Sequence, residues 1–164
     1  MELAHTPSML ARIAAELPES AQRLRSGPFA FVEHVWHMAD LEREAFGLRI
    51  VRLAAEEDPF LPDFDGDRIA RERDYLHKDV AAGLAAFAAA RAENLRRLAS
   101  ITDWSRTGRQ EGVGAISLAE MPQRMLDHDC AHFNELADLL VELAPGSGLI
   151  SALRNTGPRS SKAA

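Results

Sequence analysis

His128 and His132 stand four residues apart in a segment, Ala119 to Leu143, whose apolar residues recur with the period of a helix. That spacing puts both imidazoles on one face, one turn apart. Two nitrogens so placed can hold one metal ion. Neutral imidazole suits zinc, nickel, copper and iron alike, so the pair does not name the metal. A solvated face that happens to carry two histidines is the plainer alternative. Far upstream, His37 is a third candidate, and His34 precedes it at i−3 in the apolar stretch Phe29 to Ala39. Taken singly, a histidine on such a face is more often packed and hydrogen-bonded than ligating. Two on one segment and two on another strengthen the metal reading, because convergent imidazoles are costly to explain otherwise.

Other chemistries fit less well. A di-iron carboxylate bundle needs Glu-x-x-His motifs, but the residues three before His37, His132 and His128 are His34, Asp129 and Met125. A zinc protease needs His-Glu-x-x-His, and here the second position is Asp129. Cys130 is turned about 200° from His128, so it reads as a core or interface thiol. Asp63-x-Asp65-x-Asp67 is similar to the start of a calcium loop. Its glycine falls at the fourth place, and Asp74 replaces the closing glutamate, so it reads as a solvated acidic loop.

The elements that must position these histidines are helical almost throughout. A first helix starts with Thr6 as cap and Pro7 at the first helical position, and Pro18 ends or kinks it. Ser26-Gly27-Pro28 is a break. A second helix spans Phe29 to Ala55. Its first part is apolar nearly all round and central, and its later part carries Arg43, Glu44, Arg49 and Arg52 on wetter faces. Glu56 to Asp67 is a loop, and a short helix runs from Arg68 to Tyr75. A third long helix spans Asp79 to Ser100, with Asp79 as cap and a stripe of Leu84, Phe87, Ala88, Arg91, Leu95 and Leu98. Trp104 to Gly114 connects to the last helix. Ser117-Leu118-Ala119-Glu120 matches a capping box. Pro122 falls late for that start, so either the first turn is irregular or the helix begins near Pro122. Four long amphipathic segments with modest loops predict an all-α four-helix bundle, with metal ligands on facing helices.

At 164 residues the chain reads as one domain, residues 1–153, with a mobile tail over 154–164. Its net charge is −6, and no basic stripe interleaves with aromatics, so no nucleic-acid partner is expected. No apolar run approaches the roughly 18 residues that would span a bilayer, so no membrane partner is expected. The first residues lack the pattern of an export signal. A single cysteine excludes an internal disulfide, and a reducing cytoplasm is the expected location.

Three blocks resemble the DinB/YfiT-like family. His37-Met38-Ala39-Asp40-Leu41-Glu42 is similar to its His-Leu-Ala-Asp-Thr-Glu segment. Leu61-Pro62-Asp63-Phe64-Asp65 is similar to its Leu-Pro-Gly-Phe-Asp loop. Asp127-His128-Asp129-Cys130-Ala131-His132 is similar to its closing Glu-His-Asp-Ala-His-His segment. Their order and separations also fit, over about residues 5 to 143. The resemblance implies a DinB/YfiT-like four-helix bundle with a three-histidine metal site at His37, His128 and His132; His34 matches no family ligand. It implies one divalent metal ion, zinc or nickel foremost, a small-molecule substrate, a low-molecular-weight thiol as cosubstrate and a homodimer. The family includes thiol-dependent transferases and many members without assigned activity. Phe29 stands where a tryptophan is frequent, Ala30 where a serine often caps the helix, and Ala131 where the first of two adjacent histidines falls. None of these touches the triad.

Three histidines leave coordination positions open, as in catalytic sites. A bound cation lowers the pKa of a thiol or water placed there. Two reactions follow: thiolate attack on an electrophilic carbon, or hydrolysis of an acyl or amide bond. A non-catalytic metal- or small-molecule-binding bundle with a role in stress is the alternative. Glu33, one turn before His37, is a candidate acceptor for the free N–H of that ring. Asp40 and Glu42 suit capping, salt-bridge or packing roles as well as catalysis. The Phe60-to-Asp67 loop, by resemblance, lies near the mouth of the site.

Overall fold

A computed structural model describes residues 2–155. Helix α1 (Thr6–Glu16) has Pro7 in its first turn and ends where Leu17 turns extended before Pro18. The next long element runs through three segments without a break. Helix α2 (Phe31–Leu41) passes into a π-helical turn (Glu42–Phe46) and then into α3 (Gly47–Ala55). The start falls two residues later than Phe29, because Ala30 holds the cap position and has no side-chain acceptor. Glu33 compensates by accepting the Ala30 N–H at 2.8 Å. The π turn was not legible in the periodicity. It adds one residue to a single turn, so Arg49 sits about 20° rather than about 120° round the helix from His37. This is why Arg49, expected on a wet face, is buried instead.

Strand β1 (Phe60–Leu61) and helix α4 (Gly66–Glu72) follow. Asp65 caps α4 by accepting the Arg68 N–H at 2.9 Å, so the acidic run ends as a helix cap. Helix α5 (Val80–Ala99) is capped by Asp79, which accepts the Ala82 N–H at 2.6 Å. The expected connection after Trp104 is a hairpin of β2 (Thr107–Gln110) and β3 (Gly114–Ser117), with β1 added in parallel to β2. The bundle therefore carries a small three-stranded sheet that an all-α reading omits. Its strands are too short to show a clear alternation. Helix α6 (Met121–Leu143) begins after a 3-10 turn in which Glu120 accepts the Ser117 N–H at 2.9 Å. Both readings of its start thus hold: the box is formed, and the α-helix opens beside Pro122. A final helix α7 (Leu149–Arg154) buries Leu149 and Leu153 in the core. Of the expected tail 154–164, Arg154 ends this helix, and residues 156–164 lie outside the described residues.

The four long elements α1, α2–α3, α5 and α6 form the bundle. Gly83 lets α5 approach α2 closely, since a Cβ there would lie 2.8 Å from Val35 and 2.9 Å from Trp36. Two apolar clusters fill the interior. One joins Leu10, Phe31, Val35, Phe87, Phe133 and Leu136, and the other joins Phe46, Ile50, Leu53, Leu98, Leu118 and Met125. Both α2–α3 and α6 pass from one cluster into the other. At the seam they carry buried polar groups: His37, Asp40 and Glu42 on one, Asp129 and His132 on the other.

The centre of this seam is Arg91 on α5, 1% exposed. Its guanidinium donates to Glu42 at 2.9 and 3.0 Å and to Asp129 at 2.7 and 2.9 Å, and Nη1 also reaches the Leu3 carbonyl at 3.0 Å. Thr6 donates to Asp129 at 2.7 Å, and Asn94 donates to Glu42 at 3.0 Å. Removing the cation from such a set strands two buried carboxylates. Arg91→Ala should lower unfolding free energy by about 3–5 kcal/mol in urea denaturation. A loss below about 1 kcal/mol would show that water or a rearranged partner replaces the guanidinium.

Candidate metal centre

The three sequence-predicted histidines meet at this seam. Nε2 of His37 lies 3.3 Å from Nε2 of His128, and Nε2 of His132 lies 3.1 Å from the same atom. A tetrahedral ion at zinc–nitrogen distances of about 2.0–2.1 Å separates its ligands by about 3.3 Å. Both separations match ligands of a single small cation, and one ligand atom from each of the three residues falls within 4.8 Å of the others. His37 and His132 are buried, while His128 is partly exposed, so the cluster opens toward solvent on the His128 side.

Burial also keeps the rings of His37 and His128 neutral, as ligation requires. Desolvation pushes the His37 imidazolium down to about 4, with His132 adding repulsion. Desolvation, then the charge of His132, holds His128 well below the usual histidine range. His34 is lowered well below it too, first by burial and then by His132.

His34 does not join the triad. Its Nδ1 lies 2.9 Å from Nδ1 of His132, on the far side of that ring. Glu135 approaches the same nitrogen at 3.4 Å and His34 Nδ1 at 3.7 Å. When Nε2 of His132 offers its lone pair, the ring proton sits on Nδ1, and these two groups are there to accept it. Such partners fix tautomer and ring orientation. Glu135 escaped the sequence reading, although its i+3 spacing from His132 was available. Glu33 does not receive His37, because Arg25 at 2.7 Å and the Ala30 N–H occupy its carboxylate. The outward Nδ1 of His37 is buried with no hydrogen-bond partner among the described residues.

Gly66 covers His37 instead. A Cβ there would lie 2.4 Å from Cε1 and 2.7 Å from Nδ1 of the ring, so glycine is required by close approach. The loop expected at the mouth does lie there. Phe64 stands 6.0 Å from His37 between centroids, Phe29 stands 5.6 and 5.5 Å from His34 and His37, and Phe46 stands 5.9 Å from His128. Asp129 is turned away from the cluster into Arg91 and cannot act as a protease-type base. Asp40 binds the Tyr75 hydroxyl at 2.5 Å and pairs with Arg43 and Arg73, while Glu42 binds Arg91, so both serve packing. Cys130 is buried.

These features define a helical bundle with an inward three-histidine cluster between two of its helices. The model of the DinB superfamily matches residues 2–136, and the chain belongs to that family. Among solved structures it is similar to YfiT from Bacillus subtilis, described as a probable metal-dependent hydrolase with an unusual four-helix bundle topology. That similarity has a TM-score of 0.73 and 20% identity, over 84% of this chain and 81% of that one. No curated protein matches the chain. No described helix is long and apolar enough to cross a membrane.

The depressed imidazoles have a consequence for stability. A histidine with a lowered folded-state pKa binds fewer protons folded than unfolded between the two values. Its contribution is complete above about 6.5 and is lost as pH falls toward about 4. For His37 the full span corresponds to on the order of 3 kcal/mol. Metal-stripped protein should therefore lose urea resistance between pH 7 and pH 5, above the range where most carboxylates titrate. His37→Gln should flatten that slope; an unchanged slope would mean the ring is already solvated.

Proposed function

We propose that the chain is a divalent-metal-dependent enzyme in which His37, His128 and His132 hold one ion, zinc or nickel, and which acts on a small electrophilic substrate. The observation that carries this reading is the convergence of the three histidines, with Nε2 of His37 and Nε2 of His132 each at the spacing of tetrahedral ligands from Nε2 of His128. A bound cation would supply Lewis acidity, lowering the pKa of a thiol or water at the open side. The protein's own part is to keep the rings of His37 and His128 neutral, to hold His132 from behind through His34 and Glu135, and to wall the mouth with Phe29, Phe46 and Phe64.

The donors favour thiol transfer over hydrolysis. Two carboxylates near the ligands in sequence, Asp129 and Glu33, are committed to Arg91 and Arg25, and Glu135 faces Nδ1 of His132 from behind. A thiol, with a free pKa near 8.5, needs a small shift to ionise near neutrality and can release its proton to solvent. Water needs a far larger shift and gains more from a positioned base. In the favoured reaction the thiol loses its proton, a sulfur–carbon bond forms, and the bond from that carbon to its leaving group breaks with the electron pair. Hydrolysis of a small acyl or amide bond is the second reading, suggested by the description of YfiT. The homodimer belongs to the same proposal and rests on family resemblance; light scattering that shows a monomer across micromolar concentrations would remove it.

Protein purified without an affinity tag should contain close to one equivalent of metal. Alanine at His37, His128 or His132 should sharply reduce that content, whereas His5→Ala and His77→Ala should not. Gly66→Ala should weaken metal affinity tenfold or more by displacing the His37 ring, with helical circular dichroism retained. Turnover of a thiol with an epoxide or haloalkane, compared with turnover of a simple ester, separates transfer from hydrolysis. Metal retained in all three alanine variants would sink the site assignment.

A further inference from the structure

Among the described residues, Arg49 on α3 is the one buried charge without a counter-ion. Among the described residues two arginines are buried, Arg91 and Arg49, at 1% and 7% exposure. Arg91 is neutralised by two carboxylates. Arg49 makes no ion pair among the described residues, and its Nε is buried without a hydrogen-bond partner. Its one polar contact is from Nη2 to the Pro62 carbonyl at 3.5 Å, the outer limit of a hydrogen bond. Asp63 is near enough to favour the charged form, yet outside ion-pair distance. Arg124, one turn before His128, brings a second cation within electrostatic reach. An uncompensated buried charge is unfavourable, and a protein of net charge −6 has ample acids with which to pair it.

The position of Arg49 ties it to the histidine cluster. The guanidinium carbon lies 6.0 Å from the centroid of Phe46, and that ring lies 5.9 Å from His128. The Phe46 ring is therefore a common neighbour of the cation and of His128. The same loop roofs both, with Pro62 over Arg49 and Phe64 and Gly66 against His37.

We propose that Arg49, assisted by Arg124, is a seat for an oxyanion, carboxylate or phosphate, carried by the substrate, so that the electrophile is presented to the histidine cluster across Phe46. The seat rests on the metal-enzyme reading for what reacts, but not for its own binding. A planar guanidinium suits either anion because its N–H groups form a fork matching paired oxygens. The anion replaces the weak Pro62 contact and supplies the partner that Nε lacks. The substrate class is then a small electrophile bearing an anionic group, in preference to a neutral alkyl compound.

The test follows the Arg49 Nε–H signal in nitrogen-15 NMR of the full chain. The protein is stripped of metal, dialysed and held at pH 8, where the imidazoles are neutral. It is titrated with benzoate in one arm and inorganic phosphate in the other. At least one should move the Arg49 signal saturably, and the arm that does so names the anion. Arg49→Met should weaken that binding at least tenfold, Arg49→Lys should weaken it less, and exposed Arg12→Met should leave it unchanged. Metal content should be the same in Arg49→Met and the parent. An Arg49 signal that neither anion moves would overturn the proposal, as would parental anion binding by Arg49→Met. If the methionine variant does not fold, Arg49→Lys and the resonance itself decide. Binding that survives in metal-free protein stands even if the triad proves never to hold a metal, so the two readings fail separately.

Discussion

Arg91 is a full positive charge removed from water and held between carboxylates of two different helices. Isolated, it would cost more than any one contact returns; with Glu42 and Asp129 placed as forks on either side, the cost is offset and the geometry becomes strict. The two partners also lie beside the ligand histidines. Asp129 directly follows His128 on α6, and Glu42 follows His37 by little more than one turn. A bidentate grip at both places sets the rotation of each helix about its own axis. Rotation in turn decides whether three imidazoles point at one another or past one another.

The same physics organises the rest of the seam. Two apolar clusters would be more stable if they met directly, since burying ionisable groups is unfavourable unless each finds a partner. Here nearly every one does: Asp40 has Tyr75 and Arg73, Glu42 has Arg91 and Asn94, and His132 has His34 and Glu135. The exceptions are informative. His37 has a buried Nδ1 facing Gly66, and Arg49 has a buried Nε beneath Pro62. Both lie under the loop between β1 and α4. Two of the three buried side-chain atoms without a hydrogen-bond partner among the described residues thus lie under this loop, the third being Ser26 Oγ.

That loop is short and pinned at both ends. β1 hydrogen-bonds to β2, and Asp65 caps α4. Phe64 and Gly66 are held against His37 by chain geometry, with no hydrogen bond to the ring itself. The small sheet sends Leu61 and Ile116 into the second apolar cluster and so anchors the lip of the site to the bundle core. Phe29 and Phe46 complete an aromatic rim that limits access of bulk water to the rings.

Local rules were enough to read the long helices, the caps at Asp79 and Glu120, the break at Pro18, and the pairing of His128 with His132 on one face. Each of these follows from periodicity or from a hydrogen bond between residues three or four apart. The similarity of three short blocks to one family singled out His37 over His34, a choice that spacing left open. The tertiary structure decided what local rules cannot see. It supplied a π turn that rotates Arg49 inward and strands of two to four residues that pair at long range. It also gave His34 and Glu135 to one nitrogen of His132, and turned Asp129 and Glu33 away from the cluster. Asp129 and His34 go where their partners are, and those partners lie on other elements, up to 123 residues away along the chain in the case of Thr6 and Asp129; Arg49 is carried inward by backbone geometry, which side-chain periodicity does not record.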